Sequence, residues 1–157
     1  MGRAIAKKFN MKLVDGDKVI VKTDGRPLQQ IMDEEGLEGF KQIEEKILLT
    51  INDDNIVFTP GGSAVYYPSV MEQFKRSGIV VYLFASANTI INRTVDFSKR
   101  GVVLKEGMTM QDLYNERAPL FEKYADITVN CDGTDFYKYK WDAIKKIENY
   151  LNKAGQK

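Results

Sequence analysis

Two aspartates, Asp15 and Asp17, follow a short apolar run and are separated by a single glycine. At the carboxyl end of a strand, two carboxylates can hold a hard cation such as Mg²⁺ and accept the proton of a substrate hydroxyl. A polar turn in which Asp17 caps the next helix would use the same residues without any chemistry. The spacing by itself leaves both interpretations open.

Two adjacent glycines, Gly61 and Gly62, follow the next apolar run along the chain. Adjacent glycines let a ligand approach the main chain closely, and their N–H groups can bind oxygen atoms. A strand-to-helix turn that needs positive φ angles would also require glycine. The pair is therefore a candidate for ligand binding or for a turn.

Three arginines have side chains suited to binding an anion. Arg93 and Arg100 lie in a charged stretch with weak periodicity, and Arg117 lies in a helical segment. Arginine binds phosphate or carboxylate through two parallel N–H groups, and a loop arginine can accelerate phosphoryl transfer by roughly 10³–10⁵. Taken singly, each of the three is better explained as a solvated surface charge.

Other conspicuous side chains are interpreted as structural. Lys41, Glu44 and Glu45 are expected to form one solvated face of a helix. The aromatic residues Phe40 and Trp141 are expected in the core, Trp141 within an apolar stripe of the C-terminal helix.

The elements that position these residues are predicted from apolar patterning. Strands are expected at residues 11–15, 55–59, 78–85 and 126–131. The runs are β-branched without strict alternation, which is typical of parallel strands covered on both faces. Between them, Thr109 and Asp112 form a capping box for a helix to about Tyr124, and Pro68 fits a first helical turn. The predicted class is a single α/β domain with a parallel sheet flanked by helices.

Composition excludes several kinds of chemistry. Lys and Arg number 23 against 22 Asp and Glu, so the charge balance gives no case for nucleic acid or a membrane surface. The apolar runs are too short to span a bilayer. The single Cys131 excludes an internal disulfide and fits a reducing cytoplasm. The chain has no histidine, so its chemistry must use carboxylates, Arg, Lys, main-chain amides or an oxygen-bound metal.

The order of these features resembles that of the shikimate kinase family. The matching features, in chain order, are Asp-x-Asp after a strand, TDGRPLQQIMDEEGLEGF, Pro-Gly-Gly after a strand, VVYLFAS, two arginines separated by six residues, ERAPLF and ADITV. The resemblance covers essentially all of the chain. It implies one kinase domain over residues 1–157, with a five-stranded parallel sheet, a P-loop, a substrate-binding helical region at about 17–52 and a mobile lid at about 93–108. The implied reaction moves the γ-phosphoryl group of ATP to the 3-hydroxyl of shikimate, a step towards aromatic amino acids.

The resemblance also implies roles for individual residues on the substrate side. Asp15 would help to hold Mg²⁺, mostly through water, and Asp17 would bind the shikimate hydroxyl and act as base. Gly61 and Gly62 would belong to the substrate loop, and Arg117 would bind the shikimate carboxylate.

On the nucleotide side, the resemblance implies that the lid residue Arg100 reaches the phosphates. Arg93 would lie at the base of the lid, and residues 130–133 would wrap the adenine. Two positions on the substrate side depart from the family pattern. Lys41 stands where the family has a second carboxylate-binding arginine; lysine keeps the positive charge but cannot make a two-pronged contact. Ser63 stands where the family has the third glycine of the substrate loop.

The P-loop is the largest departure. In the family, a strand and a G-x-x-x-x-G-K-[ST] loop precede a Gly-Arg pair like that at residues 2 and 3, and no stretch of this sequence matches that loop. The first helix also has no capping residue in front of it. We therefore expect a kinase truncated at an internal methionine, with a central strand missing and no measurable activity of the 157 residues alone.

The resemblance implies a monomer that uses shikimate and ATP with Mg²⁺, and the composition indicates the cytoplasm and no nucleic acid or membrane partner. Lys41 and Ser63 leave open a related kinase with a different hydroxy-acid acceptor. A third possibility is a non-catalytic remnant that binds a ligand or a partner protein.

Overall fold

The computed structural model describes residues 1–93 and 107–155 and places them in an α/β arrangement. The helices are α1 (Gly2–Lys8), α2 (Gly16–Asp24), α3 (Leu28–Leu48), α4 (Pro68–Ser77), α5 (Ala87–Arg93), α6 (Met110–Tyr124) and α7 (Phe136–Ala154), with a 3₁₀ turn at Ala64–Tyr66. The strands are β1 (Lys12–Asp15), β2 (Ile56–Thr59), β3 (Val81–Phe84) and β4 (Ile127–Asn130). All four predicted strands are confirmed, and so is the alternation of strands with helices.

The strands form two separate parallel pairs. Strand β1 pairs with β2, where Leu13 lies opposite Val57, and β3 pairs with β4, where Leu83 lies opposite Val129. In the part of the chain that the structure describes, no ladder of hydrogen bonds joins the two pairs. The predicted class, α/β with parallel strands, is confirmed.

A cavity of about 610 Å³ lies between the two strand pairs. Phe58 and Thr59 of β2 line it, as do Tyr82 and Leu83 of β3. The edges of β2 and β3 that are not used in these pairs have no strand partner among the described residues. Parallel strands are normally paired and covered on both sides, so the cavity is an interruption in the sheet.

Apolar side chains pack in three clusters around the strands and helices. One includes Leu48, Val70 and Tyr67, where α3 and α4 meet the 3₁₀ turn. Another joins α1, β4 and α7, and the third joins α2 to α3. The second cluster fixes α1 beside the strands, and the parallel pairing of β1 with β2, in which Asp15 lies opposite Thr59, places the carboxyl ends of these two strands together.

Two helix starts agree with the sequence prediction. Thr109 and Asp112 form the capping box of α6, and α4 begins at Pro68. Helix α1 has no side-chain cap at Met1. Helix α3 is kinked at Gly36, where φ is 68°, because glycine adopts a positive φ readily.

One core prediction is wrong. Trp141 is 60% exposed, whereas Ala143, Ile144 and Ile147 of the same helix are buried. The face of α7 that packs on β4 is centred roughly a third of a turn away from Trp141, because successive residues of a helix are about 100° apart.

No helix in residues 1–93 and 107–155 combines the length and the apolar character needed to cross a membrane.

Candidate active site

The first aspartate, Asp15, ends β1 and caps α2. Its Oδ1 accepts a hydrogen bond from the main-chain N–H of Lys18 at 3.3 Å, and its own main chain is extended. The alternative in which Asp17 is the capping residue is therefore wrong. Asp17 lies in the first turn of α2, which frees its carboxyl group for other contacts.

The carboxyl group of Asp17 faces the main chain that follows β2. A Cβ placed on Gly61 would lie 3.5 Å from Asp17 Oδ1. Partial desolvation raises the pKa of Asp17, and the negative charge of neighbouring Asp15 raises it further. A carboxylate with a raised pKa accepts a proton more readily, which suits a general base.

Gly61 and Gly62 form the turn after β2, and neither has a positive φ. The interpretation of the pair as a positive-φ turn is therefore wrong. Close approach is the reason for glycine at residue 62, since a Cβ there would lie 3.1 Å from Nη1 of Arg117. The turn brings its main chain between Asp17 on one side and Arg117 on the other.

Arg117 is held by Tyr66 of the 3₁₀ turn. Its Nε donates to the Tyr66 hydroxyl at 3.1 Å, and its guanidinium lies over the Tyr66 ring, 5.2 Å from the centroid. The Tyr66 hydroxyl donates in turn to Glu116 Oε1 at 2.5 Å. These contacts use Nε and the face of the guanidinium, and Nη1 lies beside the main chain of Gly62.

A cleft of about 260 Å³ extends from Arg117 to Lys41 on α3. Leu37, Tyr66, Tyr67, Met108, Leu113 and Glu116 complete its lining. Lys41 Nζ is 2.6 Å from Glu38 Oε1, so its charge is partly balanced by its own helix. The cleft therefore combines two cations with apolar and aromatic walls and with one carboxylate, Glu116, which accepts the hydrogen bond of Tyr66.

Glu44 contradicts the expected solvated face of α3, because it is only 2% exposed. Its Oε1 accepts a hydrogen bond from Ser63 Oγ and its Oε2 from the Tyr67 hydroxyl, each at 2.7 Å. Burial raises the pKa of Glu44, while the two hydroxyl donors oppose that rise. A signal was present in the sequence, since Glu44 is four residues from Phe40 and three from Ile47, on the apolar stripe.

Arg93, at the end of α5, is bound to the segment after β4. Its Nη2 donates to the carbonyl oxygen of Cys131 at 2.7 Å and also to that of Gly133. The guanidinium lies 5.8 Å from the centroid of the Tyr139 ring. Arg93 is exposed, and its guanidinium is anchored to the segment that is predicted to wrap the adenine.

The predicted adenine segment is also tied to the end of β3. Asp132 Oδ1 accepts from the main-chain N–H of Ser86 at 2.8 Å and from Ser86 Oγ at 3.0 Å. Hydrogen bonds from Thr89 and Ser86 lower the pKa of Asp132. Residues 94–106, which include Arg100 and most of the predicted lid, lie outside the described residues.

The described ranges contain no group of three or more His, Cys, Asp or Glu side chains arranged to hold a metal ion. Asp15 uses Oδ1 in its capping bond, so Oδ2 is the oxygen left for a cation. Mg²⁺ commonly keeps several waters and takes one or two carboxylates together with substrate phosphates. One carboxylate oxygen beside Asp17 is compatible with that mode of binding.

Three comparisons with known proteins agree with one another. A family model described as shikimate kinase matches residues 1–148. Curated relatives named shikimate kinase 1, from Citrobacter koseri and from Salmonella newport, are each 32% identical over 136 residues, covering 84% of this chain and 79% of the relative.

Solved structures give the same result. A shikimate kinase from Acinetobacter baumannii, in complex with shikimate, superposes with a TM-score of 0.83 at 26% identity over 99% of this chain and 87% of that one. The shikimate kinase from Aquifex aeolicus shares the fold, with a TM-score of 0.80 at 20% identity over 96% and 89% of the two chains.

Proposed function

The chain belongs to the shikimate kinase family, and we propose that its cleft binds shikimate for transfer of the γ-phosphoryl group of ATP to the 3-hydroxyl. The observation that carries the proposal is the convergence of three elements on one turn. Gly61 approaches Asp17 of α2, and Gly62 approaches Arg117 of α6. A base, main-chain N–H donors and an arginine are thereby gathered within reach of one small molecule.

The cleft between Arg117 and Lys41 suits a carboxylate next to an apolar ring. Tyr66 fixes the guanidinium of Arg117, so its Nη groups can donate in parallel to both carboxylate oxygens. Lys41 adds a second positive charge at the other side of the cleft. The acceptor would then be oriented with its hydroxyl groups towards Asp17 and the Gly61 turn.

Asp17 is the proposed base. As the 3-hydroxyl oxygen forms its bond to the γ-phosphorus, the bond from that phosphorus to the bridging oxygen breaks and ADP leaves. Asp17 accepts the proton of the hydroxyl, and its raised pKa favours that transfer. The turn at Gly61 keeps the carboxyl group of Asp17 partly out of water, so little reorganisation is needed.

The nucleotide would lie at the carboxyl ends of β3 and β4, beside the acceptor at the carboxyl ends of β1 and β2. Arg93 orders the segment at residues 130–133, which would hold the adenine. Arg100 is proposed to reach the phosphates. Asp15 would hold Mg²⁺ through its free oxygen or through water, and the ion would neutralise charge on the phosphates.

The phosphate-binding loop is the missing part of this scheme. The sequence has no G-x-x-x-x-G-K-[ST] stretch, and phosphoryl transfer depends on such positioning and charge stabilisation. The cavity between β2 and β3 supports the interpretation that a further strand belongs there. We propose that the 157 residues bind the acceptor but require that strand and its loop for turnover.

The test compares the 157-residue chain with a version extended ahead of Gly2 by a strand and P-loop from the Acinetobacter baumannii enzyme. Calorimetry should detect shikimate binding by both proteins, and ADP release should depend on shikimate only in the extended protein. Asp17→Asn in the extended protein should retain binding and lose turnover. Absence of shikimate binding by both proteins would contradict the proposal. Binding without turnover in the extended protein would favour the non-catalytic remnant.

A related kinase with a different hydroxy-acid acceptor is the second candidate. Lys41 is paired with Glu38 and cannot make a two-pronged contact, and Ser63 adds a hydroxyl beside the turn. A panel of hydroxylated carboxylic acids tested with the extended protein would separate the two, since the preferred acceptor has the highest kcat/KM.

We further propose that the enzyme acts as a cytoplasmic monomer. The family assignment and the single, buried thiol of Cys131 support a reducing compartment.

A further inference from the structure

A buried carboxyl group lies beneath the glycine turn, and the scheme above does not use it. Glu44 is 2% exposed, and both of its oxygens accept hydrogen bonds from hydroxyl groups. Its donors, Ser63 and Tyr67, come from the segment that directly follows Gly62. A buried carboxyl group is unfavourable unless its oxygens are satisfied, so Glu44 and its two donors form one unit.

We propose that Glu44 is a positioning residue: through Ser63 and Tyr67 it fixes the turn at Gly61 and Gly62 against Asp17 and Arg117. The inference rests on the proposed function where it concerns shikimate, and on contacts within the chain where it concerns the turn. It also assigns a role to Ser63, whose hydroxyl is one of the two donors.

The geometry explains how one side chain can hold the turn. Ser63 directly precedes the 3₁₀ turn and Tyr67 directly follows it. The two hydrogen bonds therefore attach both ends of residues 63–67 to α3. A Cβ on Gly61 would lie 3.5 Å from both Glu44 Oε1 and Asp17 Oδ1. The main chain of Gly61 is thus confined between these two carboxyl groups.

Such a restraint matters because glycine has more conformational freedom than other residues. Gly61 and Gly62 have no side chains with which to order themselves, and Gly62 is exposed. N–H groups that bind an oxyanion well must be fixed before the ligand arrives. Hydrogen bonds from Ser63 and Tyr67 to one buried acceptor supply that order without occupying the cleft.

The charges around Glu44 come from two other helices. Asp17 of α2 disfavours ionisation of Glu44, and Arg117 of α6 favours it. The hydroxyl groups of Ser63 and Tyr67 can donate to either protonation state, and they donate most strongly to the carboxylate. Replacing Ser63 by alanine would leave Oε1 without its donor and release the start of the segment.

The chain offers a matched control for this bond. Ser69 of α4 also forms a serine-to-glutamate hydrogen bond with α3: its Oγ donates to Glu45 Oε1 at 2.6 Å. That bond is exposed and lies away from the glycine turn. Ser69→Ala should therefore change neither the turn nor ligand binding.

The experiment measures amide hydrogen exchange by NMR at Ala64 and Tyr66, whose N–H groups donate to the carbonyl oxygens of Gly61 and Ser63. Shikimate affinity is measured by calorimetry, and both measurements are made in Ser63→Ala, Glu44→Gln and Ser69→Ala. Ser63→Ala and Glu44→Gln should speed exchange at the turn at least about fivefold and weaken shikimate binding by a similar factor. Thermal unfolding midpoints are recorded in parallel to identify general destabilisation.

A lower midpoint in Ser63→Ala, with exchange and affinity both within about twofold of the unaltered chain, would overturn the inference. Faster exchange with unchanged shikimate affinity would also overturn it. Failure of the unaltered chain to bind shikimate would contradict the proposed function instead. The exchange rates would then decide the positioning role alone: faster exchange in Ser63→Ala supports it, and equal exchange refutes it.

Discussion

Arg117 approaches the main chain of Gly62 so closely that a Cβ at residue 62 would lie 3.1 Å from its Nη1. The two residues are far apart in sequence and belong to different elements, the turn after β2 and helix α6. Their contact places a guanidinium beside main-chain N–H groups, an arrangement that suits a carboxylate next to hydroxyl groups. Small changes at either residue should therefore affect ligand binding more than folding.

Gly62→Ala should displace Arg117, because the new methyl group would occupy the space that the guanidinium uses. We expect shikimate binding to weaken by about tenfold or more, with little change in the unfolding midpoint. Gly78→Ala is the control, since the nearest atom to its Cβ would be the Phe74 carbonyl oxygen at 3.8 Å. Equal affinities of Gly62→Ala and the unaltered chain, measured by calorimetry, would show that the contact is unimportant.

Arg117→Lys should keep the positive charge and lose the paired N–H donors of the guanidinium. Lysine cannot donate to Tyr66 and to both carboxylate oxygens in one plane. We expect about tenfold or greater loss of shikimate affinity, and a smaller preference for shikimate over its carboxamide. Arg76→Lys, at an exposed position on α4, should bind as the unaltered chain does. If Arg117→Lys keeps the full preference for shikimate over its carboxamide, that result would contradict the proposed carboxylate contact.

Asp15→Asn should lower the pKa of Asp17. Part of the rise in the pKa of Asp17 comes from the negative charge of Asp15, which asparagine removes, so Asp17 should ionise at lower pH. Asparagine still caps a helix, which preserves α2. Titration of the Asp17 carboxyl carbon by NMR measures the shift. Asp53→Asn, in an exposed loop, should leave the titration unchanged, and an upward shift in Asp15→Asn would refute the assigned cause.

Ionisation of Glu44 should lower the free energy of unfolding as pH rises through the range in which carboxyl groups titrate. Its pKa is raised in the folded chain, so the folded state binds more protons than the unfolded state above the ordinary value of 4.5. Its contribution is complete below that value and is lost as pH rises through the folded pKa. In urea unfolding from acid to neutral pH, the free energy of unfolding of Glu44→Gln should rise relative to that of the unaltered chain as pH increases, because the variant lacks this contribution. Identical slopes would be inconsistent with a raised pKa at Glu44.

Asp126→Ala should reduce stability, because this side chain joins the start of β3 to the start of β4. Asp126 accepts from the Val80 N–H at 2.9 Å and from Lys75 Nζ at 2.7 Å. Loss of a partner for a partly buried N–H costs about 1–3 kcal/mol. Asp142→Ala removes only the exposed ion pair with Lys146, and denaturant unfolding should find a change of at most about 0.5 kcal/mol. Equal decreases in the free energy of unfolding of Asp126→Ala and Asp142→Ala would contradict the role assigned to Asp126.

Local sequence patterns predicted the secondary structure well. The β-branched runs became β1 to β4, and the capping box at Thr109 and the proline at residue 68 mark real helix starts. Each depends on residues a few positions apart, whose propensities act before any distant contact forms. The parallel α/β class follows from the order of these elements.

Burial was predicted less well, because it depends on which surfaces meet. Glu44 was expected in solvent, yet Ser63 and Tyr67 arrive from the following turn to satisfy it. Trp141 was expected in the core, yet α7 presents a neighbouring face to β4. Likewise Asp15, not Asp17, caps α2. Which of the two aspartates becomes the capping residue depends on where β1 ends.

By itself, the sequence determined the elements, their order and the residue types able to bind a phosphate donor and a hydroxy acid. Only the tertiary structure decided that Asp17 and Arg117 flank the turn at Gly61 and Gly62, that Glu44 lies beneath that turn, and that a cavity separates β2 from β3. The reason is physical: propensity and capping act over a few residues, whereas burial, pKa and strand pairing depend on side chains brought together from distant segments.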